Sequence, residues 1–283
     1  VTAQVLRLAA NLVLTRLLFP EAFGLMALVT VVLVGLAMLS DVGLGPAISQ
    51  HGRGDEADFL DTAWTLQVLR GALLWLLTLA LAWPVASLYD APELAALLPV
   101  AGLSLLVNGF LPTRIETAAR HLQLGRVTAI DLASQLAGIA VMVTAALAWG
   151  SVWALVAGTL AGSAAKLALA VRFLPGRPNR LRWERAAARD LIGFGKWIFL
   201  STALAFLIAQ GDKAILGTVL PLGPLGIYNI GYFLASVPSL LGTAVVGRVM
   251  IPLYRETPPD APAASRQRLR RMRAVLTAAL MLL

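Results

Sequence analysis

The stretch that decides the fold reads FGKWIFLSTALAFLIAQGDKAILGTVLPLGPLGIYNIGYFLASVP and covers residues 194–238. It holds two apolar runs, residues 197–219 and 225–237, which a turn rich in Pro and Gly separates. With their flanks, both runs approach the ~20 residues that a helix needs to cross a bilayer. An acid–base pair, Asp212 and Lys213, interrupts the first run. Charge inside a membrane is costly, so the pair indicates either a polar cavity between helices or side chains near a helix end that reach the headgroups.

The composition is that of a membrane protein. Of the 283 residues, 59% are hydrophobic and only 13% are charged, and the mean hydropathy is +0.80. A soluble domain carries about 25% charged residues, so a soluble globular fold is excluded. A segment exposed to lipid has to satisfy its own backbone polar groups, and the apolar runs are therefore predicted to be helices in an all-α bundle. There are no cysteines, which excludes disulfides and thiolate metal sites.

The apolar runs predict eight complete or nearly complete transmembrane helices and the start of a ninth. The eight runs cover residues 1–18, 22–39, 63–85, 94–111, 128–149, 152–173, 197–219 and 225–237. Residues 1–174 are interpreted as a lobe of six helices, residues 175–190 as a basic cytoplasmic linker, and residues 191–283 as part of a second lobe. Both ends of the sequence fall inside apolar runs, so we expect it to be part of a longer protein.

Basic residues mark one side of the membrane. Most of the 23 Lys and Arg residues lie in alternate loops, and linkers at 175–190 and 252–273 carry the largest groups. The opposite loops hold only Arg16. Because Lys and Arg concentrate in cytoplasmic loops, we expect the basic loops to lie in the cytoplasm, in a multi-pass membrane protein. Basic runs also serve nucleic-acid binding, but here their alternation follows the membrane topology, and we expect no nucleic-acid partner.

Polar side chains within the predicted spans are candidates for a substrate cavity. Arg7 lies about ten residues, or ~15 Å, from the far end of the first span, and Asn11 follows it on the same helix face. An intramembrane charge of this kind either lines a cavity or belongs to a buried ion pair. The predicted cavity residues are Arg7, Asn11, Arg70, Asp212, Lys213 and Asn229. Asn229 also fits a simpler role, hydrogen bonding between helices.

Motifs for enzymatic chemistry are missing from the sequence. It contains no GxxxxGK[ST], HExxH or GxSxG pattern. The loops opposite the basic ones are too short to form a catalytic domain. We therefore expect no enzymatic activity, no cofactor and no bound metal ion. Gly158 and Gly162 form a GxxxG pattern, which predicts close packing between helices.

Two parts of the sequence resemble each other. Residues 16–26 and 218–228 each combine a helix end, a turn containing Pro, an apolar residue followed by Gly, and a new helix. The offset is 202 residues, the difference between positions 24 and 226. Many transporters are built from such repeats and hold the substrate between them, although a helix-turn-helix can also produce this similarity by chance.

Two blocks of motifs resemble a known family. The first block is Arg16-Leu-Leu-x-Pro-x-x-Phe23-Gly24-Leu, followed by Asp41-Val-Gly43-Leu-Gly45-x-Ala-Ile-Ser-Gln50. The second block is Phe194-Gly195-Lys196, Gln210-x-Asp212-Lys213-x-Ile-Leu-Gly217, Leu225-Gly226-x-Tyr228 and Pro238. Both blocks resemble the lipid-linked oligosaccharide flippases, the Wzx-type polysaccharide biosynthesis proteins, and lie where this family has them. The resemblance covers nearly the whole chain.

The resemblance implies the fold of the multidrug/oligosaccharidyl-lipid/polysaccharide exporter superfamily, with two six-helix lobes around a central cavity and a second lobe that stops early here. It implies transfer of an undecaprenyl-diphosphate-linked oligosaccharide across the inner membrane by alternating access. The implied partners are this lipid-linked oligosaccharide, membrane lipids and a coupling ion, H⁺ or Na⁺. Three alternatives stay open: a cation-coupled multidrug exporter of the same superfamily, a lipid II flippase, and, from the enzyme class, a membrane glycan polymerase or glycosyltransferase.

Overall fold

All regular secondary structure in the described part of the chain is helical. The computed structural model describes residues 2–41, 43–121 and 123–245. Over these residues the helices are α1 Thr2–Leu17, α2 Pro20–Leu39, α3 Leu44–Gln50, α4 Ala57–Leu88, α5 Leu94–Gly109, α6 Arg114–Arg120, α7 Leu124–Trp149, α8 Trp153–Phe173, α9 Arg185–Leu216 and α10 Leu222–Val245. The predicted all-α fold is confirmed. The second basic linker and the ninth predicted span lie outside the described residues.

Several of these helices can cross a membrane. Within the described residues, five stretches are long and apolar enough: Pro20–Gln50, Ala57–Leu88, Gly125–Trp149, Trp153–Phe173 and Phe199–Leu216. A sixth span exists if α5 and α6, which are bent by 56° relative to each other, count as one broken helix. Each of the eight predicted spans overlaps a helix, although α1 is only 16 residues long. The chain is a polytopic helical membrane protein.

Helices α4 and α9 begin well before their apolar runs. Each has 32 residues, and α9 starts at Arg185, inside the stretch that the sequence predicts as a linker. Each first turn carries a single charged residue, Asp58 in α4 and Arg185 in α9. Asp58 complements the positive end of the helix dipole. Hydropathy marks where a helix enters apolar surroundings rather than where its first turn forms. The predicted linker is therefore shorter in the structure than in the sequence analysis.

Two short helices, α3 and α6, lie in stretches that the sequence analysis treats as polar connections. Gly43, just before α3, has a φ of 61°, in the left-handed region that favours glycine. Its N–H donates to Asp41 Oδ1 over 2.9 Å, which fixes the turn after α2. The Gly43-x-Gly45-Pro46 pattern thus ends one helix and starts another.

Apolar side chains pack at both ends of the bundle. At the end opposite the arginine-rich segments, α2, α4, α5, α8 and α10 bury a group that we call the distal core. Its most buried members are Leu28, Val29, Ala91, Leu94, Leu97, Leu98, Ala101, Val156 and Leu225. At the arginine-rich end, α3, α4 and α9 bury a smaller group, the basic-end core. Its members are Leu44, Ala47, Ile48, Phe59, Ala63, Ala187 and Leu191.

Helices α7 and α8 pack with their backbones close together. A Cβ added at Gly138 would lie 2.9 Å from the carbonyl oxygen of Gly158 and 3.1 Å from Cα of Gly162. Only residues without a Cβ allow this approach, so the predicted GxxxG packing face is confirmed. Near the basic end, Lys166 Nζ joins the two helices by an ion pair with Asp131 Oδ1 at 2.9 Å.

The described chain divides into two compact units. One comprises residues 10–227, from the second half of α1 to the first turn of α10. Residues 2–9 and 228–245 belong to the other. Within the first unit, α9 packs against α2, α3 and α4, so the linker and α9 share one unit with helices α2 to α8. The division into lobes at residues 174 and 191 stays a prediction.

Candidate functional site

Two of the predicted cavity residues lie on α1. Arg7 and Asn11 are four residues apart, which places them on one face of this helix. Arg7 is exposed and Asn11 is partly buried. Further along the same face, the hydroxyl of Thr15 donates to the carbonyl of Leu12 within the helix. The substrate-binding role of Arg7 and Asn11 stays a prediction.

Asn229 lies in the third turn of α10 and is partly buried. Its neighbours on the helix face include Tyr232, whose ring centroid is 6.4 Å from that of Tyr228. Ser236, the next polar residue on this face, donates to the carbonyl of Phe233 in its own helix. On this polar face of α10, the hydroxyl of Ser236 is therefore used in a hydrogen bond to the helix backbone. A binding role for Asn229 stays a prediction.

Arg70 on α4 reaches across to the end of α2. Its Nε donates to Ser40 Oγ over 2.9 Å, and its Nη2 donates to the carbonyl of Ala37 over 2.5 Å. Asp41 Oδ1 lies 3.9 Å from Nη1. The last carbonyls of a helix lack intrahelical partners and attract a cation, so Arg70 acts as a C-terminal cap of α2. Arg70 and Ser40 are 30 residues apart in the chain, and no local sequence pattern indicates their contact. Substrate binding by Arg70 stays a prediction.

The acid–base pair of the decisive stretch lies close to the end of its helix. α9 ends at Leu216, one turn after Lys213. Lys213 is 4% exposed, and its Nζ donates to the carbonyl of Ala209 over 3.2 Å and lies 3.6 Å from Asp212 Oδ1. Asp212 and Lys213 therefore lie near a helix end, as one of the two interpretations of the sequence expects. The side chain of Lys213, however, is buried in the protein and does not extend outward. A role in a substrate cavity stays a prediction.

The structure also holds a polar interface that the sequence analysis missed. Residues 177–184 of the linker run along the first two turns of α4. Asp61, 2% exposed, accepts hydrogen bonds from Arg177 Nη2 over 2.5 Å and from the backbone N–H of Arg180 over 3.0 Å. A carboxylate is thus buried but compensated by two donors, one of them charged.

Two threonines continue this interface along the same face of α4. Thr62 Oγ1 accepts the backbone N–H of Glu184 over 3.1 Å, and Thr65 Oγ1 accepts that of Arg182 over 3.0 Å. Asp58 Oδ1 pairs with Nη1 of Arg182 over 2.7 Å. We call the interface of Asp58, Asp61, Thr62 and Thr65 with residues 177–184 the linker clamp. The sequence does carry a signal for this interface. Asp61, Thr62 and Thr65 follow Asp58 by three, four and seven residues, a spacing that places polar side chains on one face of a helix just before an apolar run.

Other arginines at this end also bind the protein itself. Arg53 Nη2 donates to both carboxylate oxygens of Glu184, over 2.9 and 3.0 Å, and its Nε donates to Glu56 over 2.6 Å. The hydrogen bonds to Glu56 and Glu184 raise the pKa of Arg53. Arg120 Nη1 donates to the carbonyl of Ile48 over 2.9 Å and to that of His51 over 2.8 Å, which caps the end of α3.

The partners of these arginines limit what the basic end can do. Among the described residues, guanidinium groups at this end bond to carboxylates or carbonyls of this chain, including those of Arg53, Arg70, Arg114, Arg120, Arg177 and Arg182. Their charge is used to hold loops and helix ends in place. An anionic substrate would therefore find these groups already engaged.

Comparison with known proteins gives a consistent family. A family model described as polysaccharide biosynthesis protein matches residues 13–281. The chain is 26% identical over 251 residues to the lipopolysaccharide biosynthesis protein WzxC of Escherichia coli K12, covering 88% of this chain and 50% of that protein. It is 24% identical over 253 residues to the succinoglycan biosynthesis transport protein ExoT of Rhizobium meliloti, with 88% and 50% covered.

A third relative matches a somewhat shorter part of the chain. The teichuronic acid biosynthesis protein TuaB of Bacillus subtilis is 24% identical over 220 residues, which cover 76% of this chain and 44% of that protein. The chain thus spans about half the length of the curated relatives it matches. No solved structure matches the chain significantly.

Proposed function

The chain belongs to the polysaccharide biosynthesis protein family, and on this premise we propose that the protein carrying it moves an undecaprenyl-diphosphate-linked oligosaccharide across the bacterial inner membrane by alternating access. The resemblance to Wzx-type flippases in the sequence is confirmed, as is the expectation of a multi-pass inner-membrane protein. The observation that carries the proposal is the match over residues 13–281, in a chain whose described part is a bundle of membrane-crossing helices.

The short connections of the bundle favour a transporter over an enzyme. Within the described residues, the helices opposite the arginine-rich segments are joined by residues 18–19, 89–93, 150–152 and 217–221. Such connections have no room for a catalytic domain. The working parts of the protein are accordingly its helices and the space between them, where a transporter holds its substrate.

Arg7 is the residue that we expect to contact the diphosphate. A guanidinium group offers a planar fork of donors that matches phosphate oxygens, and its charge persists at every physiological pH. A charged side chain near the middle of the membrane costs about 2.5–3.5 kcal/mol on insertion scales. An anionic headgroup or a water-filled cavity would offset this cost. Asn11, on the same face, would add a neutral hydrogen-bonding group beside the diphosphate.

The experiment uses the full-length protein in a strain from which its gene has been deleted. The wild-type gene should restore surface polysaccharide, and Arg7→Ala should abolish it at equal membrane abundance. Arg7→Lys keeps the charge but loses the planar fork, so it should restore export in part. Arg16→Ala is the matched control, because Arg16 is an arginine in the last turn of the same helix.

The outcomes separate the function from the residue. A deletion strain that keeps its surface polysaccharide, or that accumulates no lipid-linked oligosaccharide, would contradict the flippase. Full export from Arg7→Ala would leave the flippase standing and remove Arg7 from the substrate site.

A further inference from the structure

The first turns of α2 and α10 cross at two glycines. A Cβ added at Gly24 would collide with the carbonyl group of Leu222, lying 2.9 Å from its carbon. A Cβ added at Gly226 would collide with the carbonyl oxygen of Pro20 and lie 3.0 Å from the nitrogen of Gly24. Real Cβ atoms do not approach backbone atoms this closely, so only glycine is compatible with the crossing at both positions. All these residues belong to the compact unit of residues 10–227.

The crossing is symmetric under the internal repeat. The repeat pairs position 24 with 226 and position 20 with 222, each at an offset of 202 residues. The contact from Gly24 to Leu222 therefore maps onto the contact from Gly226 to Pro20. Reciprocal contacts of this type define a two-fold, self-complementary interface. The equivalent residues of the two similar turns therefore contact each other, as a structural repeat would require.

The crossing lies against the distal core. Leu225, beside Gly226, is fully buried and belongs to this core together with Leu28 of α2. Gly217, at the end of α9, also approaches closely, because a Cβ there would lie 2.5 Å from Leu28 Cδ2 and 2.9 Å from Tyr89 Cε1. At the end opposite the arginine-rich segments, the helices are thus held by shape and backbone proximity.

We propose that Gly24 and Gly226 form the closing contact of the bundle at the distal end, and that α2 and α10 separate at this contact when the protein opens to that side. The proposal rests on alternating access as the proposed function. The two helices occupy equivalent positions in the two halves of the repeat, and transporters built from repeats open by moving one half against the other. Close packing of small residues gives a tight contact with no long side chain that must be unlocked, which suits an interface that closes and opens repeatedly.

The first test measures access to the crossing in intact cells. The chain has no cysteine, so Leu225→Cys gives a single reporter thiol at a fully buried position. In this background Gly24→Ala and Gly226→Ala should each raise labelling by a membrane-impermeant maleimide several-fold, because the added Cβ prevents closure. Gly231→Ala is the matched control on α10, since a Cβ at Gly231 meets nothing within 4 Å. Unchanged labelling in both crossing variants, at equal membrane abundance, would overturn the proposal.

A second measurement tests the closing contact between α2 and α10 if the alanine variants do not reach the membrane. A Cβ at Gly223 would lie 3.0 Å from Glu21 Oε1, and these positions are also related by the repeat. The double variant Glu21→Cys/Gly223→Cys should therefore cross-link under oxidation and lose export, and a reductant should restore it. Absence of a cross-link, or full export from the cross-linked protein, would overturn the closing contact. Labelling and cross-linking need no exported glycan, so failure of the proposed function would be recognised separately.

Discussion

The two ends of the helix bundle are held together by different kinds of interaction. At the arginine-rich end, Asp61 and the rest of the linker clamp fix residues 177–184 by directional hydrogen bonds and charge. At the distal end, buried leucines and the crossing of Gly24 and Gly226 hold the helices by shape. A polar clamp loses several bonds when one acceptor is removed. An apolar, glycine-based contact separates without leaving a buried charge behind, so we expect motion at the distal end and a fixed attachment at the basic end.

The largest expected difference between the ends is their accessibility from outside the cell. Ala186 in α9 and Glu93 before α5 are both exposed and lie at opposite ends. If the arginine-rich end is cytoplasmic, an impermeant maleimide should label Glu93→Cys but not Ala186→Cys in intact cells. After permeabilisation both should react. Labelling of Ala186→Cys alone in intact cells would invert the topology.

The next effect concerns the stability of the linker clamp. Asp61→Ala removes a buried carboxylate that accepts from Arg177 and Arg180, and we expect a loss of about 1.5–3 kcal/mol, typical of hydrogen bonds to a charged group. Asp58→Ala is the matched control on the same turn, because its pair with Arg182 is exposed, with side chains 41% and 56% accessible. A surface pair contributes about 0–1 kcal/mol. Thermal unfolding of the purified protein in detergent measures both, and equal losses would contradict the larger contribution of the buried Asp61 to the linker clamp.

The smallest effect is a pH dependence at the arginine-rich end. Asp55 contacts His121 Nε2 at 2.8 Å and Arg120 Nε at 3.1 Å, and chiefly the hydrogen bond with His121, with the charge of Arg120, lowers the pKa of Asp55. Because folding lowers this pKa, the contact stabilises the folded state above the ordinary pKa of aspartate. The stabilisation disappears as the pH falls through the lowered value.

The melting temperature over this acidic range measures the contribution of Asp55. It should fall slightly less in Asp55→Asn than in the wild type, since the variant has no carboxylate to protonate. Glu93→Gln, at the distal end, should follow the wild type. If the melting temperatures of the wild type and Asp55→Asn changed equally with pH, the contact of Asp55 with His121 and Arg120 would not contribute to stability.

The sequence predicted the helices well because a membrane helix has a long apolar run that few other structures share. It placed the starts of α4 and α9 too late, since charged residues interrupt the apolar pattern in the first turns of both helices. It missed the linker clamp for another reason. Asp61 meets Arg177 across 116 positions of the chain, and no local pattern states which loop a polar helix face will bind. The contacts of Arg70 were missed for the same reason, because only the packing of α4 against α2 brings Arg70 to the end of α2.

The pair Asp212 and Lys213 shows the limit of reasoning from hydropathy. The sequence locates the charges in an apolar run but not the end of the helix, which the structure places at Leu216. The internal similarity was a weak signal in the sequence. In the structure, the positions that its offset of 202 residues relates contact each other reciprocally at Gly24 and Gly226.

The central claim, transport of a lipid-linked oligosaccharide, can be measured directly in vesicles. The purified full-length protein is reconstituted with undecaprenyl-diphosphate-linked oligosaccharide labelled in its sugar, and an impermeant glycosidase added outside reports the fraction of label exposed. Without transport, only substrate in the outer leaflet is digested. We predict that wild-type protein makes nearly all the label digestible, while Arg7→Ala at equal protein content leaves the inner-leaflet fraction protected. Wild-type vesicles that protect as much label as protein-free vesicles would contradict the account.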